Sequence, residues 1–210
     1  AGQLAQMSLT PGIALGINLK ILANNESDSA AKIAKVEIGD YQDLEVLRNF
    51  AKKCDFLTFE HELVPNGHLR ALEAEGFVIR PSANALLVAQ DKAHMRKVFT
   101  ESQIPCPKWK VVDNVNAIPS FPAILKSITG GYDGRGVQLV KDEDSAKKVI
   151  AEWGKALYEE VVPFDRELSI LIARSPHNQV ATWAVTETVQ RDGICIETIT
   201  PAPNLSEEVA

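Results

Sequence analysis

The chain is poor in the features that mark secreted, membrane-spanning or nucleic-acid-binding proteins. Its 3 cysteines, Cys54, Cys106 and Cys195, are far apart and form no CxxC pair. That excludes a disulfide framework and a cysteine zinc site. No apolar run approaches the roughly 18 residues of a membrane span, and the first residues lack the charged start and apolar core of a signal peptide. A cytoplasmic, reducing setting is therefore expected. Basic residues are the minority, 22 Lys and Arg against 28 Asp and Glu, for a net charge of −6. This balance speaks against general binding of nucleic acid or anionic membrane. Internal repeats and low-complexity stretches are absent too. What remains is a hydrophobic content of 45% over 210 residues, enough to bury a sizeable core in one large or two small domains.

Helical and strand-like segments alternate through the first eighty residues. "AGQLAQMSLTPGIALG" reads as a helix opening just after a tight turn, and "INLKILA" as the next strand. In "DLEVLRNFAKKC" the apolar residues Leu44, Leu47, Phe50 and Ala51 share one helical face, and "DFLTF" follows as a strand. The helix "NGHLRALEAE" then leads into "FVIR", which completes a wound α/β unit with parallel strands. A Rossmann-like unit places a further strand before its first helix, so the sequence is expected to start inside its first βα turn.

The character changes at Pro81. "PSANALLVAQDKAHMRKVFTESQ" is helical, and "IPCP" ends it with two prolines. Beyond it, "KWKVV", "PAILKSI" and "GVQLV" read as strands and "DSAKKVIAEW" as a helix. "ALYEEVV", "RELSILIAR", "VATWAVTETV" and "ICIETIT" follow as strands joined by turns, the pattern of antiparallel pairing. The expected division is 1–80, a linker over 81–103, then 104–163 and 164–210.

The chemistry concentrates in "KSITGGYDGRGVQLV". Gly130, Gly131, Gly134 and Gly136 make a turn, but no turn needs Tyr132, Asp133 and Arg135, or Lys126 ending the strand before it. A strand-end lysine beside glycine amides suits a nucleotide phosphate. By itself the motif reads equally as a mobile hairpin with a solvated lysine. Thirty residues on, "LYEEVVPFDRELS" carries Glu159, Glu160, Val161, Val162 and Glu167. An adenine ring needs an apolar slot with backbone donors and acceptors, and a ribose needs a carboxylate acceptor. Alone, this segment is better described as a partly exposed strand with solvated glutamates. His61, His68, His94 and His177 are scattered and match no metal site, and Trp109, Trp153 and Trp183 are expected to anchor the core.

In combination, "AQDKAHMRKVF", "IPCPKW", "PAILKSITGGYDGRGVQLV" and "LYEEVVPFDRELSILIAR" resemble the ATP-grasp superfamily in order and spacing. The "GGYDGRG" loop is similar to that of its 5-(carboxyamino)imidazole ribonucleotide synthases. "AGQLAQM", "IGDYQD", "TFEHELVP" and "TETVQRDGI" agree with the same family. The resemblance implies a Rossmann-like pre-ATP-grasp domain over 1–80, then an incomplete ATP-grasp domain of α+β type with antiparallel sheets. Of that domain, 104–163 would be the small subdomain and 164–210 the start of the large one.

The implied reaction is ATP-dependent carboxylation of 5-aminoimidazole ribonucleotide by bicarbonate through carboxyphosphate, in a homodimer of purine biosynthesis. Lys92 and Lys126 would meet ATP phosphates together with Gly130, Gly131, Gly134 and Gly136. Glu159 would accept from the adenine amino group, Glu160, Val161 and Val162 would line the ring edge, and Glu167 would take the ribose hydroxyls. Tyr132, Asp133 and Arg135 would face the imidazole ribonucleotide and carboxyphosphate, as catalytic residues. Gly2, Gln3 and Leu4 would form a phosphate turn at a helix N-terminus, with Glu60 as a weaker substrate contact. Magnesium would accompany ATP, held by residues beyond 210, so this stretch alone is not expected to complete the reaction. Another ATP-grasp ligase of purine synthesis and a non-catalytic ATP-binding module are the alternative readings.

Overall fold

The computed structural model describes residues 1–131 and 135–206. It divides into two compact units, Ala1–Val98 and Phe99–Ala210, each with its own apolar core.

In the first unit, helix α1 (Gln3–Ala14) precedes strand β1 (Leu22–Ala23), which pairs in parallel with β2 (Glu37–Ile38). Helix α2 (Leu44–Ala51) begins where the Asp43 carboxylate accepts from the amides of Glu45 and Val46. Its Leu47, Phe50 and Ala51 are buried, as the helical spacing predicts, and Leu44 packs against them from a half-buried position. Helices α3 (Asn66–Ala74) and α4 (Ala83–Gln90) follow, with Leu69, Leu72 and Ala83 completing that core, and α5 (Lys92–Glu101) begins in this unit and runs past its last residue, Val98.

The strands of this unit are shorter than the apolar runs suggest. "DFLTF" and "FVIR" meet in one parallel bridge, Leu57 to Ile79, closed by Leu57 N–H to Val78 O and Arg80 N–H to Leu57 O, both 2.9 Å. "INLKILA" pairs only at its last two residues. A backbone counts as strand only where a neighbour supplies partners. Here β2 turns away at once, because the Asp40 carboxylate accepts from Gln42 N–H at 2.8 Å and its carbonyl from Asp43 N–H.

The second unit is antiparallel throughout. Strands β3 (Trp109–Val112), β4 (Ala123–Ser127), β5 (Val137–Val140) and β6 (Ala156–Glu160) form one sheet in the order β3-β6-β4-β5. Helix α6 (Glu143–Trp153) lies between β5 and β6 in the chain and buries Ala146, Val149 and Ile150 in the core that also holds Leu125 and Tyr158. Its start is set by a capping box between Asp142 and Ser145, and its end by Gly154 at φ +72°. Strands β7 (Glu167–Ser169), β10 (Thr186–Arg191) and β11 (Ile194–Ile199) form a second sheet, and β8 (Ile172–Arg174) pairs with β9 (Val180–Thr182).

Of the three tryptophans expected in the core, Trp153 packs against it and Trp109 is half-buried, its indole N–H donating to Thr100 Oγ1 at 3.0 Å. Trp183 departs from the expectation: it is 56% exposed, on a connection after the β8–β9 hairpin rather than under a sheet. Among the described residues no helix is long and apolar enough to cross a membrane.

Candidate functional site

The glycine loop joins β4 to β5. These strands pair from Ala123 with Val140 to Lys126 with Val137, and Ser127 N–H then donates to Gly136 O at 2.8 Å, which closes the base of the loop. Gly130, Gly131 and Gly136 have φ of +68°, +84° and +75°, a backbone that L side chains rarely adopt. Gly131 also lacks room, since a Cβ there would lie 2.6 Å from Arg135 O, and one on Gly136 would collide with Ser127 Oγ. Tyr132, Asp133 and Gly134 lie outside the described residues.

Strand β6 runs beside β4, with Glu159 opposite Ile124 and Lys126 opposite Leu157. Period-2 alternation puts Ala123 and Leu125 on the core face, both 0% exposed, and Lys126 on the other face with the Glu159 side chain. There the Lys126 ammonium meets a Glu159 carboxylate oxygen at 2.7 Å. Glu160 turns the opposite way, accepting from Lys108 N–H at 2.9 Å. Val161 and Val162 follow the end of the strand at 41% and 43% exposed. Glu167 begins β7 opposite Thr188 and is half-buried. Lys126, the described loop glycines, Glu159, Val161 and Val162 thus come from one sheet and its connections. Arg135 is exposed.

Lys92 belongs to the first unit. It is the first residue of α5, whose start is fixed by the Asp91 carboxylate accepting from His94 N–H at 2.8 Å. In the same unit the structure joins two groups that the sequence presented separately. Gly2, Gln3 and Leu4 open α1, and Glu60 Oε1 accepts from Gly2 N–H at 2.8 Å while Oε2 accepts from Ala5 N–H at 2.6 Å. Partial burial pushes the Glu60 carboxyl up, but these donors outweigh it and hold it below the usual carboxylate range. The anion at this helix N-terminus is thus a side chain of the chain itself.

Beside Glu60 opens a cavity of about 320 Å³ whose walls include Leu4, Leu19, Leu22, Phe50 and Leu57. Tyr41 and His61 also line it and pack ring to ring at 5.2 Å. Two features went unforeseen. Lys108 pairs with Glu160, for which the sequence offers no signal beyond opposite charge. Ser127 buries its hydroxyl at the loop base with no hydrogen-bond partner among the described residues, and its only sequence signal is adjacency to Lys126. Among the described residues there is no group of three or more His, Cys, Asp or Glu placed to hold a metal ion.

Residues 97–210 match the family model of the ATP-grasp domain, and residues 1–90 match that of the ribonucleotide synthetase preATP-grasp domain. The chain belongs to the ATP-grasp family. It is similar to the N5-carboxyaminoimidazole ribonucleotide synthase of Mycobacterium bovis, with 42% identity over 220 residues, covering 100% of this chain and 51% of that protein. Among solved structures, the N5-carboxyaminoimidazole ribonucleotide synthetase of Thermus thermophilus superposes with a TM-score of 0.87 at 31% identity, covering 99% of this chain and 58% of that one. The synthase of Aspergillus clavatus in complex with ADP and 5-aminoimidazole ribonucleotide gives a TM-score of 0.83 at 26% identity, covering 99% and 56%. The chain spans about half the length of the curated relatives it matches. The expected architecture, a pre-ATP-grasp unit followed by an ATP-grasp unit with antiparallel sheets, is the one found.

Proposed function

We propose that the protein is an ATP-dependent carbon–nitrogen ligase that carboxylates 5-aminoimidazole ribonucleotide with bicarbonate in purine biosynthesis. The observation that carries the reading is the convergence of Lys126, the glycine loop and the Glu159–Val162 edge on one antiparallel sheet. Relatives of that name, matched along the whole chain, support the choice of acceptor.

In this reading Lys126, Lys92 and the loop glycines bind ATP phosphates. The adenine lies along Glu159 to Val162, and Glu167 takes the ribose hydroxyls. A bicarbonate oxygen attacks the γ-phosphorus, the bond to ADP breaks, and carboxyphosphate forms. The amine of the ribonucleotide then attacks the carboxyl carbon, phosphate leaves, and the amine loses a proton. Carboxyphosphate hydrolyses readily, so the site must hold several anions together and keep water out. Arg135, with its planar donors, together with Tyr132 and Asp133, serves that step. Gly2, Gln3, Leu4 and Glu60 belong to the ribonucleotide side, where Glu60 has lone pairs left for hydroxyl donors after serving the two amides.

A cytoplasmic homodimer using magnesium, with residues 104–163 as the small ATP-grasp subdomain and 164–210 opening the large one, completes the proposal. The test is ATP consumption by the intact protein. It should require bicarbonate and 5-aminoimidazole ribonucleotide together, and consumption indifferent to the ribonucleotide overturns the reading.

A further inference from the structure

Glu159 is the one buried charged residue among the described residues, 3% exposed, and it lies mid-sheet on β6 between β3 and β4. Burying a carboxylate is costly, and a buried ion pair is on balance no more stabilising than an apolar pair of the same shape. Fold stability therefore does not explain its presence. Its neighbour Glu160 shows the alternative, since that side chain faces out and pairs loosely with the 87% exposed Lys108 side chain at 3.6 Å.

We propose that Glu159 is a positioning residue for Lys126: its buried carboxylate fixes the lysine ammonium where the nucleotide's phosphates arrive. The inference rests on the reading that Lys126 contacts those phosphates. A lysine head rides on a flexible four-carbon stem and loses its rotamer freedom when it binds an anion. Here a 2.7 Å contact to a carboxylate held by a central strand removes that freedom beforehand. The Lys126 side chain stays 24% exposed, so the ammonium remains reachable from solvent. With three donors on the ammonium, one bond to Glu159 does not exhaust it. The role is separate from any contact between Glu159 and the base, because it acts through the lysine.

A double-mutant cycle on the intact protein distinguishes these roles, with calorimetric binding of ATP and of inorganic tripolyphosphate, which has no base. Lys126→Met is expected to weaken both ligands about tenfold or more, and Glu159→Gln to weaken both by about five- to tenfold, the scale of one charge-assisted contact. In the Lys126→Met background, Glu159→Gln should change tripolyphosphate binding by no more than about twofold, and any effect left on ATP alone reports the contact with the base. Glu159→Asp keeps the charge one methylene short. It should fall between wild type and Glu159→Gln when Lys126 is present, which separates positioning from misfolding. Tripolyphosphate binding unaffected by Glu159→Gln overturns the inference, as does a Glu159→Gln effect on tripolyphosphate that persists without Lys126. If Lys126→Met leaves both ligands bound as before, the phosphate reading of Lys126 falls, and this inference with it.

Discussion

Glu60 accepts from the amides of both Gly2 and Ala5, and these bonds tie its charge to the folded state. Its folded pKa lies below the ordinary value, so its contribution is complete above the unfolded carboxyl pKa and disappears as pH falls through the folded one. Glu60→Gln should therefore melt lower than the native protein at pH 7, and the two melting curves should converge as pH falls below the ordinary carboxyl range. Calorimetry over that range checks it, and a constant offset would contradict it. At the loop, Gly136→Ala must place a side chain in left-handed backbone against Ser127. It should cost about 1–2 kcal/mol in urea unfolding and weaken ATP binding. The turn between β4 and β5 was legible in the sequence, because clustered glycines between two apolar runs mark a tight connection. The Lys126–Glu159 contact was not legible, because the two residues are distant in the chain and meet only through the register of β4 on β6.

Helices were the elements best read in advance. In α2 the apolar spacing and the Asp43 cap are local signals, and the helix forms within the stretch they mark. Asp43→Ala should cost about 1 kcal/mol by removing the acceptor for two amides of the first turn, measurable by urea melts. In α6 the Asp142–Ser145 box does the same work, and its donors hold the Asp142 carboxyl below the ordinary range. The strands of the first unit were read too long, at "INLKILA" and "DFLTF", because apolar runs report burial and only a neighbour's backbone makes a strand. In the second unit the tight turn "SPHNQ" brings β8 and β9 together locally, and they pair as read.

At the scale of the molecule, two cores stand apart in sequence. Leu72 is fully buried in the first, and Leu125 and Tyr158 lie in the second. Leu72→Ala should cost about 2–5 kcal/mol and speed amide exchange over residues 1–98, which mass spectrometry of deuterium uptake would resolve.

The sequence by itself determined the division into unlike α/β units, the helices with their caps, and the lysine and glycine loop, since each rests on residues close together in the chain. Only the tertiary structure decided which side chains share a site. It turned Glu159 inward to Lys126 and Glu160 outward to Lys108, and it delivered the Glu60 carboxylate to the start of α1. Those pairings depend on strand register and on long-range burial, quantities set by the whole packed chain and by no local stretch of it.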